Sequence, residues 1–503
     1  MNTLAAAVPD APLSADRPPP PPVRPRLNVH ARTKQRPAIT DLLADWQYIE
    51  RSIHRLIAAW GREIAPWDDK SAIHRHVWDQ AECVRRLRER ITQFPGGKAD
   101  APVSPRLEKL ANTILLAPSL EDALDGIYLH LLKTLVAAYG GYSSQAHPVH
   151  DAPTIALLHE INQIKSQQWL WYRDWRRRHP HVTDSSYRAA VEAELAACGR
   201  LETALPVARD EAAQPAGVAT SFRLAKFSAR DAPIRPRHRF MDYVLADFAT
   251  NLETRRLFWA FGYMMEKNLP DDQLRWIYDG HYMPWEWHHD ISRHLWDESR
   301  HGDSGYSRLR DFNISFEEVG FPGYDQADRE TALRQIAAER GLSLDECFAR
   351  HAELLAPFRA EPNTKAELYQ HVFMIGMVAE TGHFVVKNEG YVDFRDGQDL
   401  ESAEMMLFDI IDETAHVQYA HRWLPLLAEH AGVDNSDYRE RAAKIREESQ
   451  QRSNHNATEF LRTLSRTPGD PAFDFYQGLL ARIRAVTPLT NAATCPPRSP
   501  KPM

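Results

Sequence analysis

The chain has 503 residues, 43% of them hydrophobic, and a formal net charge of −8, enough apolar content for two or three domains with their own cores. No basic block is interleaved with aromatics, which argues against nucleic acid as a partner, and no apolar run approaches the roughly 20 residues of a membrane helix. The four cysteines, Cys83, Cys198, Cys347 and Cys495, form no CxxC pair, which argues against zinc-ribbon or iron–sulfur sites and fits a reducing, cytoplasmic setting.

The opening "MNTLAAAVPDAPLSADRPPPPP" lacks a positive leading segment, and prolines interrupt its short apolar stretch. It does not read as a signal peptide, and residues 1–38 are expected to be a disordered Pro-rich tail. Residues 39–204 carry apolar residues at helical spacing. A polar stretch with prolines, 205–237, reads as a linker. A second helical block follows at 238–485, interrupted at about 311–364 by Gly/Pro turns around two short helical patterns, "DRETALRQIAAERG" and "SLDECFARHAELLA". That stretch reads as an insertion. Residues 486–503 are expected to be a second disordered tail. No run alternates in the manner of a strand, so the fold class is all-α.

The second block repeats features of the first in the same order. "HRHVWDQAECVRRLRERI" (74–91) matches "SRHLWDESRHGDSGYSRL" (292–309), setting Gln80 against Glu298 and Cys83 against His301. "YIERSIHRLIAAWG" (48–61) matches "NLETRRLFWAFG" (251–262), setting Glu50 against Glu253. "LVAAYGGY" (135–142) matches "MVAETGHF" (377–384), and "LHEINQ" (158–163) matches "IDETAH" (411–416). These pair Ala138 with Glu380, Glu160 with Glu413 and Gln163 with His416. Four short matches in register point to a duplicated helical unit.

The chemistry concentrates in the second block, in Glu298-x-x-His301 and Glu413-x-x-His416, with Glu253 and Glu380 on the helices that precede them. Residues three apart share a helix face. A Glu from each of two helices with Glu-x-x-His from each of two others is the ligand set of a dinuclear centre in a four-helix bundle. Roughly two Glu-x-x-His matches are expected by chance in so acidic and His-rich a chain, and four occur, including Glu286/His289 and Glu380/His383. The spacing alone therefore decides little. What favours ligands is the surroundings: these carboxylates lie in apolar stripes, where unpaired charge is costly, and few Lys or Arg share those faces. Glu266, the rival to Glu253 on its helix, lies beside the Asn268–Pro270 exit and is set aside. The competing reading is a set of buried salt bridges.

"DESRH" (297–301) resembles the Asp-Glu-x-Arg-His signature of ferritin-like di-iron carboxylate proteins, and "DETAH" (412–416) resembles it except at Ala415. The resemblance covers about 238–435 and fixes no subfamily. It implies tandem ferritin-like four-helix bundles, the first degenerate and the second carrying a dinuclear metal site. The implied ligands are Glu253, Glu298, His301, Glu380, Glu413 and His416. Asp297 and Asp412 would each hold the imidazole of the opposite motif, and Arg300 would neutralise one of them. His383 and Asp409 are candidate additional ligands, Asp409 reading also as a capped polar residue, and His294 is a candidate pocket residue. Trp285, Trp287, His288 and His289 read as packing first and substrate wall second.

The implied cofactor is two Fe ions, with Mn or a mixed Mn/Fe pair as alternatives, and O2 as co-substrate. The implied activity is that of an oxidase or oxygenase acting on a small organic substrate, with electrons from an external reductase or ferredoxin. The first block would act as a metal-free packing partner, making the chain a pseudo-dimeric monomer or a homodimer. Two other classes compete: an iron-binding or iron-oxidising protein without organic substrate, and a purely structural helical protein.

Overall fold

The computed structural model describes residues 38–205, 221–230, 240–249, 251–320 and 326–486. The expected tails fall outside these residues apart from Ala38 and Val486 at their inner edges, as does most of the expected linker. Among the described residues the regular structure is helical, with a single isolated bridge between Ala225 and Arg359. No described helix is long and apolar enough to cross a membrane.

The first half comprises α1 (Ala38–Trp60), α2 (Trp67–Thr92), α3 (Pro105–Leu115), α4 (Leu120–Leu124), a π-helical segment (Asp125–Leu132) running into α5 (Lys133–Gln145), α6 (Ala152–Arg178) and α7 (Ser185–Ala197). Its core is aliphatic and aromatic, with Trp46, Ile53, Leu87, Tyr128 and Trp175 almost fully buried. At its centre one polar side chain arrives from each of four helices: Glu50 (α1), Gln80 (α2), Tyr139 (α5) and Lys165 (α6). Lys165 Nζ donates to Glu50 Oε2 at 2.5 Å and also to Gln80, while Tyr139 donates to Glu50 Oε1 at 2.9 Å.

The second half opens with α8 (Phe240–Asp247) and α9 (Leu252–Glu266), the latter capped by the Asn251 side chain accepting from the Thr254 amide. It continues directly into α10 (Asn268–Asp279) and then α11 (Trp285–Asp311). The insertion forms α12 (Phe316–Val319), α13 (Gln326–Arg340), α14 (Leu344–Ala349) and α15 (His351–Leu355). It has a small core of its own around Leu333, Ile336, Cys347, Leu354 and Leu355. Phe227 belongs to that core, and Arg62 donates to the Ala225 carbonyl. The described part of the expected linker, 221–230, is thus packed between the first half and the insertion instead of running free.

α16 (Lys365–Val372) starts at a capping box between Thr364 and Glu367 and passes through a second π-helical segment (Phe373–Glu380) into α17 (Thr381–Asp396). α18 (Leu400–Ala431) begins at the Asp399 cap and stops at Gly432, whose φ of 65° suits a residue without a side chain. α19 (Tyr438–Thr463) and α20 (Pro471–Val486) complete the described chain. Both halves therefore carry a π-helical segment in their third long helix, a device found often at functional sites.

The halves are joined through buried polar contacts as well as apolar ones. His54 meets Ser292 at 2.7 Å, His74 meets Ser299 at 3.0 Å, and Lys70 Nζ donates to Asp271 at 2.9 Å. "WEWHHD" sits at this junction: Trp285 packs edge-on to His54, and His289 pairs with Glu82 at 2.8 Å. These residues are packing between the halves.

Candidate metal centre

Four helices of the second half deliver charged side chains to one buried place. On α18, Asp409, Asp412, Glu413 and His416 recur at helical spacing along the buried stripe that also holds Met406 and Ala420. α11 contributes His294, Asp297, Glu298 and His301 in the same way. Glu380 closes the π-helical segment, and Lys387 follows two turns later on α17. Glu266 is the last residue of α9. Close helix approach makes the arrangement possible. A Cβ on Gly305 would lie 2.3 Å from the Met264 amide nitrogen, and one on Gly376 2.3 Å from the Ala420 Cβ. Glycine at 305 therefore lets the end of α9 settle level with His301.

Three overlapping groups could each hold a metal ion: His294, Glu298, Glu380 and His416; Glu266, Glu298 and His301; and His301, Asp409 and Glu413. Within each group the ligand atoms lie within 4.8 Å of one another. Glu298 belongs to two of them. Its Oε1 is 3.2 Å from His294 Nε2 and 3.3 Å from His416 Nδ1, while its Oε2 is 3.7 Å from His301 Nδ1. His294 also stands 2.8 Å from Glu380 and stacks on His416 with ring centroids 3.7 Å apart.

The decisive feature is what these atoms lack. Glu266 Oε2, His294 Nε2, His301 Nδ1, both Glu380 oxygens, Glu413 Oε2 and His416 Nδ1 are buried and make no hydrogen bond. Buried polar atoms nearly always have partners, and leaving one without costs about 1–3 kcal/mol. So many carboxylate and imidazole atoms converging on one buried place form groups that could hold a cation. Carboxylate and imidazole donors fit hard or borderline first-row divalent ions.

The outward side of each imidazole is held. Asp297 Oδ2 lies 3.4 Å from His416 Nε2, and Asp412 Oδ2 lies 3.3 Å from His301 Nε2. An ionised carboxylate can only accept, so each Nε2 carries a proton, and each Nδ1, facing inward, is the nitrogen that a bound cation would take. Arg300 donates to both aspartates, and Arg293 donates to Asp297 at 2.8 Å and reaches Asp412 at 3.4 Å. Arg300 therefore serves two aspartates where the sequence suggested one. Arg293, one turn before Asp297 and two before Arg300, adds a second guanidinium to the same pair.

Electrostatics follow from this crowding. Burial opposes the charged imidazolium, yet Asp409, Asp412, Glu266 and Glu298 together hold His301 well above its ordinary value. His416 is raised in the same way by Asp297, Glu298 and Glu413. Burial pushes Glu266 up to about 8, against the pull of Lys387. Glu413 is brought down to about 2, because Lys387 and His416 outweigh the effect of burial.

The structure brings together Glu298, His301, Glu380, Glu413 and His416 from the expected ligand set, and adds His294 and Asp409 from the secondary candidates. It does not bring Glu253. That residue sits in the first turn of α9 with its carboxylate 3.6 Å from Arg484 on α20. Thirteen residues of helix, about 20 Å, separate it from Glu266. The Asn268–Pro270 stretch is no exit to solvent: Lys267, Asn268, Leu269 and Pro270 are buried where α9 hands over to α10. His383 on α17 is exposed and joins none of the three groups.

Lys387 was not anticipated. Its ammonium, 1% exposed, lies 2.8 Å from Asp409 Oδ2 and 2.6 Å from Glu413 Oε1. Tyr263 OH donates to the same Asp409 oxygen at 2.7 Å. Asp409 is thus paired, and the charge left over belongs to Glu266, Glu298, Glu380 and Glu413.

In the first half, Glu50 and Gln80 occupy the polar centre as the repeat suggested, but Glu160 and Gln163 are exposed. Glu160 pairs with Arg86 at 3.0 Å. The buried residue of α6 at that level is Lys165, and the α5 contribution is Tyr139 rather than Ala138. The last pairing of the sequence repeat is therefore out of step with the packing. Comparison of the chain with known families, with curated proteins and with solved structures finds no match.

Proposed function

We propose that the second half binds two divalent first-row metal ions and that the chain is an O2-activating, non-haem di-iron oxidase or oxygenase of the ferritin-like kind. The observation that carries the metal reading is the set of buried, unpartnered ligand atoms on Glu266, His294, His301, Glu380, Glu413 and His416. Four carboxylates, once Asp409 is cancelled by Lys387, match the charge of two divalent ions. Glu298, which belongs to two of the groups, would help hold both ions. One ion would take His294 and His416, the other His301. Iron suits this carboxylate-rich set, with manganese the alternative.

Bound iron supplies the redox chemistry with O2, and the chain supplies the environment. Asp297 and Asp412 hold the imidazoles in one tautomer and orientation. Arg293 and Arg300 keep those aspartates ionised. The packed side chains of Trp259, Tyr263 and Met406 beside the site exclude water from its α9 side. Glu266, whose side chain is 21% exposed, marks the edge by which ions and small molecules would enter. A small organic substrate, and electrons from a separate reductase or ferredoxin, belong to this reading. The tandem-bundle reading of the fold rests on the polar centre and π-helical segment that the halves share.

Anaerobic loading with Fe(II) followed by an O2 pulse tests the proposal. Two equivalents of iron, and O2 consumption linked to oxidation of an added organic compound, support it. Two equivalents of iron with O2 spent only on Fe(II) favour iron handling, and absence of bound metal favours a structural protein.

A further inference from the structure

Two sets of donors in the centre differ in how they are prepared for an ion. His294, Glu380 and His416 face one another and Glu298, with His294 Nε2 2.8 Å from Glu380 and 3.2 Å from Glu298. Among the described residues no lysine or arginine forms an ion pair with these ligand atoms. On the other side, beside His301, the best oxygens are taken. Lys387 Nζ lies 2.9 Å from Asp409 Oδ1, 2.8 Å from Asp409 Oδ2 and 2.6 Å from Glu413 Oε1. Tyr263 also donates to Asp409 Oδ2, while Asp409 Oδ1 lies 3.4 Å from His301 Nδ1. An ion beside His301 must either displace the ammonium or manage with Glu266, Glu298 and the free oxygen of Glu413.

The first half shows the same device carried to completion. There Lys165, wholly buried, sits against Glu50 and Gln80 at the centre of the helices. A lysine ammonium is the permanent cation in one half and a competitor for ligand oxygens in the other.

We infer that Lys387 acts as an internal cation that makes the two metal positions unequal, so that ions fill the His294/Glu298/Glu380/His416 position first and the His301 position second. The inference rests on the dinuclear reading above and adds an order to it. The physical cause is a full positive charge within hydrogen-bond distance of the oxygens that the second ion needs. Repulsion between like charges a few ångströms apart in a buried site amounts to several-fold to many-fold in affinity. Lys387 is a positioning residue here: it acts through Asp409 and Glu413.

Anaerobic titration with Mn(II), followed by free-metal measurement and electron paramagnetic resonance, reads the order without any assay of turnover. The wild-type chain should bind two ions in two resolved steps, the second weaker by about tenfold or more. The first equivalent should show the signal of an isolated Mn(II), and the second should convert it to that of a coupled pair. His301→Gln should remove the weak step and leave the tight one. Lys387→Met should tighten the weak step by about tenfold and draw the two together. Two equal steps in the wild type, loss of the tight step in His301→Gln, or an unchanged gap in folded Lys387→Met would each overturn the inference while leaving two bound ions. Should Lys387→Met not fold, the wild-type and His301→Gln titrations decide alone. Fewer than two ions at saturation in the wild type would instead defeat the dinuclear reading.

Discussion

Asp297 on α11 reaches across to α18, where its Oδ2 lies 3.4 Å from Nε2 of His416. Asp412 on α18 makes the reciprocal contact with His301 on α11 at 3.3 Å. The two motifs therefore hold each other, and the four residues tie the helices as a crossed pair. Asp297→Asn keeps an acceptor at the same place but removes the charge that strengthens the imidazole. Metal affinity or oxidative turnover should fall by about 10–100-fold, the range for such outer partners. Asp412→Asn should do the same through His301. Metal stoichiometry and O2 reactivity of both variants are the measurements. Unchanged values in both would return "DESRH" to an ordinary charged helix segment.

Glu266 and Glu253 offer a sharp contrast on a single helix. Glu266→Ala removes a carboxylate oxygen that lies 3.4 Å from His301 Nδ1 and makes no hydrogen bond. Its retention of metal should drop from two equivalents towards one. Glu253→Ala removes a carboxylate that lies 3.6 Å from Arg484 on α20 and joins none of the three ligand groups, and should retain both. Elemental analysis after loading and desalting distinguishes the two variants, and the reverse pattern would move the site along α9.

The polar residues of the site were legible in the sequence to different degrees. Glu298, His301, Glu413 and His416 announce themselves because both members of each pair lie on one helix, where spacing fixes the face. Glu380 could be read from its apolar lead-in. Glu266 was missed because choosing between two acids on α9 requires the depth at which α9 crosses α11. That depth is set by the close approach at Gly305, a contact between distant segments. Lys387 was missed although it stands seven residues beyond Glu380 on the same helical face, because nothing in the sequence shows that its ammonium meets Asp409 and Glu413 on α18. A lone lysine at that spacing reads as a solvated residue. The repeat was also misplaced in α6: "HEINQ", whose Glu160 and Gln163 are exposed, carries the sequence match, while the buried Lys165, further on, carries the contact.

The metal-free protein should lose stability as the pH rises from about 6 to 9. Burial pushes Glu266 up to about 8 from an ordinary 4.5, and His301 and His416 are held well above 6.5 by their carboxylates. In this range the folded chain keeps protons that the unfolded chain has released, so stability declines as those groups deprotonate. On the acid side the slope reverses. Asp412 and Glu413 are held below their ordinary values, and their contribution is lost as the pH falls towards those depressed values. In the proposed dinuclear reading metal ions would take the place of the protons, so loading should flatten the alkaline decline and release protons on binding. Thermal unfolding across pH, with chelator and with Mn(II), checks both signs. An alkaline decline that persists unchanged in the loaded protein would mean that the titrating groups lie elsewhere.

The centre of the first half gives the complementary test, because there the cation belongs to the chain. Glu50 and Lys165 have no exposed side-chain surface and meet at 2.5 Å. Removing one partner of a buried pair leaves an uncompensated charge and costs about 3–5 kcal/mol. Glu50→Leu and Lys165→Met should each lower stability by about that much. The double variant should recover a large part, because apolar replacement of a whole pair is often near neutral. It should not recover everything, since Gln80 and Tyr139 would lose partners worth about 1–3 kcal/mol when buried. Metal content should stay at two equivalents in every folded variant, because no atom of this network joins the second centre. Denaturant unfolding and elemental analysis on the same samples provide both readings. A Glu50→Leu variant that keeps wild-type stability but loses an equivalent of metal would show that the first half, too, binds an ion, and that Lys165 is not its permanent substitute.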